Sequence, residues 1–326
     1  MQTPHFRFRR MRRTSALRRM VRETQLSCAD LILPIFVEEG ITEPVAIDSM
    51  PGVVRYPEAQ LAGVVQRAAA AGIPAVLLFG VSQHKDAVGS DTFADDGLLA
   101  RMIKTAKAAA PEITVISDNC FCEYTDHGHC GVVADNDVDN DTTLVNLQRQ
   151  ALVCAHAGVD MIAPSGMQDG MIAALREALD GAGFTHIPIM SYSTKFASAF
   201  YGPFRDAVDS TFKGTRNTYQ MDPANAREAL AESLQDEAEG ADILMVKPAL
   251  AYLDVVNQIA IHSERPVAVY HVSGEYAMIK AGACAGVIDE KAIVMETMLS
   301  FKRAGADLII TYYAEQLAKW LSEPNV

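Results

Sequence analysis

The sequence predicts a closed barrel of parallel strands, each followed by a helix. Eight short apolar runs alternate with segments of helical character, and nearly continuous apolar runs are expected for parallel strands covered on both faces. These runs occupy residues 31–37, 75–81, 113–116, 161–164, 187–192, 243–246, 267–271 and 308–312. No glycine-rich dinucleotide loop follows the first run, which argues against an open doubly wound sheet. We therefore expect an α/β fold, a single (β/α)8 TIM barrel with an extended N-terminal arm.

The segments between the first runs predict helices. Residues 57–71 form the first helix, which ends at Gly72 because glycine readily adopts a left-handed backbone. Residues 96–109 form the second, and a third runs to Ala157 with Asp141 or Thr142 as its expected cap. A weak internal repeat supports the alternation, since four similar segments each join a helix end to the next strand: 71–74, 157–160, 239–242 and 304–307.

Composition and charge indicate how the chain is divided. With 326 residues, 49% of them hydrophobic, the chain is long enough to bury a large core. The first 22 residues contain eight arginines and no acidic residue, so removing their +8 from the net charge of −13 leaves −21 on the remainder. We expect residues 1–25 to form a basic arm that contacts another subunit, and residues 26–326 to form the barrel domain.

The same features restrict partners and compartment. An acidic body argues against nucleic acid as the main partner, although a basic arm alone could contact phosphates. Six cysteines are too few for a disulfide framework in so long a chain, and three of them close together suit a reducing compartment, so we expect a cytoplasmic protein. No apolar run is long enough to span a membrane. The arginine-rich start lacks the apolar core of a secretory signal, while an organellar transit peptide stays compatible with its composition.

Half of the cysteines lie in the segment 117–130, which predicts a metal site. Cys120 and Cys122 are separated by one residue, and Cys130 follows a turn containing Gly128. Three thiolates can converge on one Zn2+ and leave a fourth position open, as in catalytic zinc sites. His127 and His129 could also act as ligands, but for either one taken singly a solvent-facing loop position is the stronger interpretation. The alternative is a chance cluster of small apolar side chains, because the Cys-x-Cys spacing is a weak signal.

An acidic run at residues 135–141 calls for a comparison with calcium loops. An EF-hand would have Gly at the sixth position and Glu at the twelfth, where this chain has Asn140 and Asn146. The run therefore predicts a solvated turn that leads into the next helix.

The ends of the predicted strands carry reactive side chains. In a barrel of this kind the carboxyl ends of the strands form the active site. The residues at or just after those ends are Asp118, Ser165, Lys195, Lys247, Ser273 and Tyr312. Burial and mutual repulsion lower the pKa of a lysine, and a neutral amine can attack a ketone to form a Schiff base. For a single lysine, extension of the side chain into solvent is the stronger interpretation, but two beside three thiols favour chemistry.

A loop-like segment at residues 200–220 has the composition of a lid. It contains Gly202, Pro203 and Gly214 and lacks the pattern of a buried strand. Two of its arginines and a glutamine could clamp a substrate carboxylate: Arg205, Arg216 and Gln220. The alternative is a solvated, charged loop.

Five segments together resemble the porphobilinogen synthases, also called delta-aminolevulinic acid dehydratases: 118–131, 190–198, 201–205, 245–249 and 272–278. The resemblance spans nearly the whole chain. It includes Arg12, Arg13 and Ser15 of the arm. Members of the family carry a similar stretch in the mature protein, which argues against a transit peptide.

The resemblance implies a lyase of tetrapyrrole (heme) biosynthesis that condenses two molecules of 5-aminolevulinic acid to porphobilinogen with loss of two waters. It implies that Lys247 binds the first substrate, the P-side molecule, as a Schiff base, and that Lys195 binds the second, the A-side molecule. It also implies that Zn2+, held by Cys120, Cys122 and Cys130, binds the A-side molecule, whose carboxylate contacts Arg205, Arg216 and Gln220. For the P-side molecule, it implies that Asp118 and Ser165 bind the amino group and that Ser273 and Tyr312 bind the carboxylate.

The resemblance also bears on metals and assembly. Some relatives have aspartates in place of the cysteines and use magnesium there, so this chain resembles the zinc type. Glu232 matches a glutamate that in some members binds a stimulatory Mg2+ away from the active site, and an ordinary exposed helix carboxylate is the equal alternative. Gln168 stands where methionine is more usual in the family. The assembly implied is a homo-octamer.

Two other functions stay open at this point. A Schiff-base aldolase or another lyase could use the same barrel, because a fold alone does not decide chemistry. A nucleic-acid-binding protein could work through the arginine-rich arm. Two lysines beside three thiols favour the synthase.

Overall fold

Eight parallel strands close into the predicted barrel in the computed structural model, which describes residues 5–208 and 214–323. In chain order the barrel strands are β1 (Leu31–Glu38), β2 (Ala75–Val81), β3 (Thr114–Asn119), β4 (Met161–Pro164), β5 (Met190–Lys195), β6 (Ile243–Lys247), β7 (Val267–His271) and β8 (Leu308–Thr311). Their order in the sheet is β4-β3-β2-β1-β8-β7-β6-β5. The two ends of this order meet where Ile162 bridges Ile189 and donates to Pro188 O at 3.1 Å.

The strands are apolar because both of their faces are covered. Every residue of β2, β5, β6 and β7 is buried. Seven of the predicted strands match their positions closely, and the fifth is shifted. Its predicted start at Ile187 is wrong, since the regular strand begins at Met190; Pro188, which lacks an N–H group, cannot donate to the ladder.

Helices cover the outside of the barrel. The α-helices are Ser15–Met20, Leu61–Ala70, Leu98–Ala109, Asn140–Ala157, Met171–Gly181, Gly202–Ala207, Arg227–Glu239, Leu253–His262, Ser273–Cys284, Glu290–Ala304 and Ala314–Ser322. Short 3-10 helices lie at Phe8–Arg12, Cys28–Asp30, Glu58–Gln60, Ser90–Phe93, Ala199–Tyr201 and Leu250–Tyr252. The expected caps of the helix Asn140–Ala157 are wrong: Asp139 is the cap, and Thr142 donates its N–H to the Asp139 carboxylate at 2.8 Å.

The repeated segments at the helix ends form a repeated contact. Asp242 donates its N–H to Ile189 O at 2.9 Å, and its carboxylate accepts the Ile189 N–H at 2.8 Å. The same reciprocal pair joins Asp160 to Val115 and Asp307 to Val267. Each of these aspartates therefore satisfies the backbone at the start of a neighbouring strand.

Four short strands lie outside the barrel and have no counterpart among the predicted elements: Val45–Ala46, Val54–Pro57, Val133–Ala134 and Asp137–Val138. The last two form an antiparallel hairpin whose tip is Asp135 and Asn136, both with positive φ. The turn predicted in the acidic run is this hairpin tip, a conformation that Asp and Asn tolerate better than most residues.

The segment before the barrel exposes its apolar side chains. None of the residues in Phe8–Arg12 or Ser15–Met20 is buried, and the exposed fractions of Phe6 and Met20 are 83% and 80%. Residues 1–4 of the predicted arm and residues 324–326 of the predicted barrel domain lie outside the described residues, and the division at residue 25 stays a prediction. Within the described ranges, no helix combines the length and apolar character needed to cross a membrane.

Candidate active site

One pocket of about 260 Å³ lies at the carboxyl ends of the barrel strands. It is lined by nine of the predicted site residues: Cys122, Ser165, Lys195, Arg205, Arg216, Gln220, Lys247, Ser273 and Tyr312. Asp118, Cys120 and Cys130 lie behind this lining and are at most 5% exposed. The barrel therefore gathers residues that are up to 194 positions apart, Asp118 and Tyr312, because successive parallel strands end on the same side.

The two lysines are the last residues of neighbouring strands. Lys195 ends β5 and Lys247 ends β6, and their Cα atoms are register partners. Each is only 5% exposed. Two amines are thus held side by side in a buried pocket, where both cannot be protonated without cost.

Aromatic rings surround the amine of Lys247. Its Nζ lies 4.2 Å from the ring centroid of Tyr270 and 5.0 Å from that of Tyr192. Phe204 and Tyr201 follow at 5.2 and 5.6 Å. Burial, with the charge of Lys195 adding to it, lowers the pKa of Lys247 to about 7. A large fraction of Lys247 is therefore neutral near neutral pH and able to act as a nucleophile.

Lys195 contacts mainly polar groups, with the ring centroid of Tyr192 at 5.6 Å from its amine. Its Nζ donates to the backbone carbonyl of Ser165. Ser165 Oγ in turn donates to Asp118 Oδ2 at 3.1 Å, and the other oxygen of Asp118 accepts from Tyr192 OH at 2.9 Å. Burial raises the pKa of Asp118, while the charges of Lys247 and Lys195 oppose that rise. The sequence patterns did not single out Tyr192, which lies three residues before Lys195 in the same buried strand.

The three predicted cysteine ligands converge. Cys120, Cys122 and Cys130 are free thiols, and their sulfur atoms all lie within 4.8 Å of one another. Cys120 Sγ and Cys122 Sγ are 3.3 Å apart. The buried Gln150 also donates to Cys120 O at 3.0 Å, which fixes the backbone of that ligand. The chance-cluster alternative does not explain three convergent sulfurs at the edge of a polar pocket.

The charges of these thiols fit a bound cation. Hydrogen bonds from Cys120 and Cys122 hold the pKa of the Cys130 thiol well below its usual value, and the charge of Arg216 acts in the same direction. The hydrogen-bonded contacts with Cys120 and Cys130 raise the pKa of Cys122 well above its usual value. The protein alone therefore stabilises one thiolate here, whereas a divalent cation would stabilise all three.

The two histidines of this segment do not join the cluster. Within residues 5–208 and 214–323, the side chains whose donor atoms converge are the three cysteines and the group Asp118, Cys120 and Glu123. His129 Nδ1 is 3.2 Å from Tyr219 OH, and His127 Nε2 is 3.1 Å from Ala87 O. Both rings are engaged with the loops around the pocket, so their candidacy as ligands is not supported.

Glu123 is a site residue that the sequence patterns missed. It lines the pocket, is 2% exposed, and its Oε2 lies 3.2 Å from Cys122 Sγ. Burial and the charge of Asp118 raise the pKa of Glu123 to about 7. A glutamate directly after a predicted cysteine ligand was the available signal, but exposed and buried glutamates look alike in a sequence.

The three residues of the predicted carboxylate clamp line the pocket. Arg216 donates to Gly128 O at 2.8 Å, and Gln220 is 5% exposed with no hydrogen-bond partner for its Nε2 among the described residues. Burial lowers the pKa of Arg216, but the charge of Cys130 opposes this, and the pKa lies above its usual value. Arg205 lies in the short helix Gly202–Ala207 and is exposed. Residues 209–213 of the predicted lid lie outside the described residues.

Ser273 and Tyr312, the predicted site of the other carboxylate, form another part of the pocket wall. Ser273 is the first residue of the helix Ser273–Cys284, and its hydroxyl donates to Phe200 O at 3.3 Å. Tyr312 OH lies 3.1 Å from Tyr270 OH. The amino end of a helix and two hydroxyl groups favour a negative charge at this wall.

Glu232 lies apart from the pocket. It is half-buried and lines a separate acidic cavity together with Gln168, Asp169, Asp236 and Glu239. Burial and the charges of Asp236 and Asp169 raise the pKa of Glu232 to about 7. It is therefore not an ordinary exposed helix carboxylate, yet among the described residues these carboxylates do not converge as the cysteines do.

Fold and site together define a class of protein. A parallel barrel that places two buried strand-end lysines, one of them readily neutral, beside three convergent thiols is an enzyme built for carbonyl chemistry with a candidate metal centre.

Comparison with known proteins defines the family. The family model for delta-aminolevulinic acid dehydratase matches residues 5–320. The chain is 58% identical over 311 residues to the delta-aminolevulinic acid dehydratase of Escherichia coli, covering 95% of this chain and 96% of that one. It is 50% identical over 318 residues to the enzyme of the same name from Bacillus subtilis, with 97% and 98% covered. The chain therefore belongs to the delta-aminolevulinic acid dehydratase family and is a lyase.

A solved structure agrees with this assignment. The delta-aminolevulinic acid dehydratase (porphobilinogen synthase) of Toxoplasma gondii, in complex with its reaction product porphobilinogen, superposes with a TM-score of 0.95 at 43% identity, covering 99% of this chain and 96% of that one. The resemblance drawn from the sequence motifs is thereby confirmed, as is the barrel fold. The family assignment favours the synthase over the aldolase alternative.

Proposed function

We propose that this enzyme condenses two molecules of 5-aminolevulinic acid to porphobilinogen, with Schiff bases at the lysines and zinc at the thiols. Joining two identical keto acids into one pyrrole requires a carbon–carbon bond, a carbon–nitrogen bond and the loss of two waters. Because the two substrates are identical but react differently, each needs its own group that binds the ketone and its own carboxylate site. The pocket offers two of each.

The observation that carries the proposal is the state of Lys247. Its amine lies among four aromatic rings, and its pKa is lowered to about 7. The neutral amine attacks the ketone of the P-side substrate, and loss of water gives a Schiff base whose adjacent carbon is acidic. Asp118, with Ser165 donating to it, is placed to hold the amino group of that substrate.

Lys195 is assigned to the A-side substrate. Its amine donates to Ser165 O and its Cα is the register partner of that of Lys247, so a second ketone bound at Lys195 would lie close to the first. A condensation needs both carbonyl compounds in contact and oriented, which is what two lysines on adjacent strand ends supply.

Two carboxylate positions keep the substrates apart. Ser273 and Tyr312, at the amino end of a helix, are assigned to the P-side carboxylate. Arg205, Arg216 and Gln220 are assigned to the A-side carboxylate, and the unpartnered Nε2 of Gln220 supports this because a buried amide donor needs an acceptor.

Zinc is the metal that the thiols favour. Three buried cysteine sulfurs are soft ligands, and three protein ligands leave one position for substrate, as in catalytic zinc sites. When bound, zinc supplies Lewis-acid polarisation of a carbonyl or hydroxyl oxygen. Cys120, Cys122 and Cys130 would hold it, with Glu123 beside them.

Magnesium is assigned to the acidic cavity around Glu232. The raised pKa values of Glu232 and Asp236 report repulsion and burial of several carboxylates, which a cation would relieve. Because Mg2+ keeps several of its waters, one or two direct carboxylate ligands are enough. The site would modulate the enzyme and not touch the substrate, since it lies outside the reaction pocket.

The arm is assigned to assembly. A basic segment with exposed Phe6 and Met20 beside an acidic barrel suits a contact with another subunit, and family resemblance makes the assembly an octamer. Free thiols in a catalytic role suit the reducing cytoplasm.

The proposal is tested by incubating the purified enzyme with 5-aminolevulinic acid and zinc and detecting a pyrrole. We expect porphobilinogen to form in the wild type and not in Lys247→Met. An enzyme that is folded and zinc-loaded but releases no pyrrole would overturn the assignment.

A further inference from the structure

The loop that follows β4 contacts two parts of the candidate active site: the group of Lys195 and Asp118, and the cysteine cluster. Ser165 contacts Lys195 through its carbonyl and Asp118 through its hydroxyl. Three residues further on, Gln168 contacts Cys130, one of the predicted metal ligands, although no sequence motif assigned a role to Gln168. Its amide Nε2 donates to Cys130 O at 3.1 Å and to Gly166 O at 3.2 Å.

Gln168 is held in this position by its surroundings. Its side chain is 5% exposed, and the preceding residue, Met167, has a φ of +66°, a conformation that is unusual for a residue with a side chain. A strained backbone at this point turns the Gln168 side chain inward to the carbonyl of a cysteine 38 positions earlier in the chain.

Gly166 is matched to Gln168. A Cβ built on Gly166 would lie 2.0 Å from Gln168 Oε1 and 3.0 Å from its Nε2. These atoms cannot share that space, so the Gln168 amide reaches Cys130 only because residue 166 has no side chain. The φ of Gly166 is not in the left-handed region, so its backbone does not by itself require glycine.

The Cys130 carbonyl is one of three neighbouring anchor points. Thr125 Oγ1 donates to His129 O at 3.1 Å, and the Val132 N–H donates to Thr143 Oγ1 at 3.0 Å. Gln168 supplies the contact to the ligand residue itself. Hydrogen bonds of this kind orient metal ligands, and their loss commonly weakens metal binding by roughly 10- to 100-fold.

We propose that Gln168 is a positioning residue for the metal ligand Cys130 and that Gly166 provides the space it needs. The inference rests on the proposed zinc site. A methionine at position 168 would fill a similar volume but could not donate to Cys130 O, so the chain would have to hold this ligand by its two other anchors alone.

The test measures metal affinity, since it is independent of turnover. Wild type, Gln168→Met, Gly166→Ala and the double variant are titrated with zinc against a chelator of known affinity, and cobalt-thiolate absorption is recorded on the same proteins. We expect each single variant to raise the zinc Kd roughly 10-fold. The zinc Kd of the double variant should not exceed that of Gln168→Met, because both changes break the same hydrogen bond.

The controls separate positioning from general damage. Gly181→Ala adds the same methyl group where no atom lies within 4 Å, and it should leave the zinc Kd unchanged. Urea unfolding of the zinc-free proteins reports any loss of fold. If Gly166→Ala does not fold, the zinc Kd of Gln168→Met alone tests the inference. Wild-type affinity in Gln168→Met, or an effect in the double variant equal to the product of the two single effects, would overturn the inference. A wild type that binds no zinc at Cys130 would overturn the zinc site and this inference with it.

Discussion

Lys195 and Lys247 are register partners on β5 and β6, yet their amines meet different surroundings. Lys195 Nζ donates to the backbone carbonyl of Ser165. Lys247 Nζ lies against the face of Tyr270, and its burial lowers the pKa of Lys247, which favours the neutral amine. The asymmetry that a reaction of two identical substrates requires is therefore already present in the protein.

The pKa of Lys247 predicts a pH profile for formation of its Schiff base. Since the neutral amine is the nucleophile, the rate should rise as the pH passes upward through the pKa of about 7 and level off above it. Between pH 6 and pH 8 we expect a roughly tenfold rise, whereas an ordinary lysine would keep gaining up to about pH 10. The measurement is the rate of adduct formation, stopped with borohydride at each pH, with Lys247→Met as the blank. A rate still climbing tenfold per pH unit above pH 8 would contradict the environment described for Lys247.

The cysteine cluster predicts that one substitution removes the metal. Cys130→Ala deletes a buried thiolate, and the convergent carboxylates of Asp118 and Glu123 are harder ligands than sulfur, so bound zinc and pyrrole formation should both be lost. The fold should persist, because a catalytic site contributes less to folding than a structural one. Zinc content after dialysis, product assay and circular dichroism check this.

The matched control for that variant is Cys284→Ala, since Cys284 is exposed and lies outside the cluster. It should keep metal and activity. Full turnover of Cys130→Ala after verified removal of all metal would refute a catalytic role for the site.

The parts of this molecule that the sequence predicts are those with a local signature. Continuous apolar runs identify the eight strands. Lys195 and Lys247 are identified by their positions at or just after the end of a run, because the strand ends meet at one side of a barrel. The contact of Gln168 with Cys130 has no such signature, since it joins loops 38 positions apart. The short strands Val45–Ala46 and Val54–Pro57 are too brief to show any period.

Burial was the other quantity that the sequence could not supply. Glu123 and Asp139 are both carboxylates outside the predicted strands, yet the first is 2% exposed in the pocket and the second caps a helix. Only the packing around them distinguishes these carboxylates.

The repeated aspartate contact predicts a stability effect. Asp242→Ala removes the carboxylate that accepts the N–H of the buried Ile189 at 2.8 Å, where the barrel closes between β4 and β5. An unpaired buried N–H costs about 1–3 kcal/mol, so the free energy of unfolding should fall by that amount. Urea unfolding measures it. The exposed Asp95→Ala is the control and should stay within about 0.5 kcal/mol of the wild type; an equally small effect of Asp242→Ala would show that the contact is not stabilising.

The arm predicts a change of assembly. A variant lacking residues 2–22 loses eight arginines and the exposed Phe6, Phe8 and Met20, and with them the surface proposed to contact another subunit. Its particle in light scattering should contain fewer subunits than the full-length protein, while circular dichroism shows an unchanged barrel. An unchanged number of subunits would refute the role assigned to the arm.

The different surroundings of the two lysines predict which one is trapped. When 5-aminolevulinic acid and borohydride are added together, the reduced adduct should map mainly to Lys247, because its amine is desolvated and readily neutral while that of Lys195 is hydrogen-bonded to Ser165 O. Lys247→Met should lose both the adduct and turnover. Lys195→Met should lose turnover but keep an adduct at Lys247, since the first ketone can still bind there. Peptide mapping decides the matter: an adduct mainly on Lys195, or none on either lysine, would remove the basis for assigning Lys247 to the first substrate and leave a metal-only activation of the ketone to be tested.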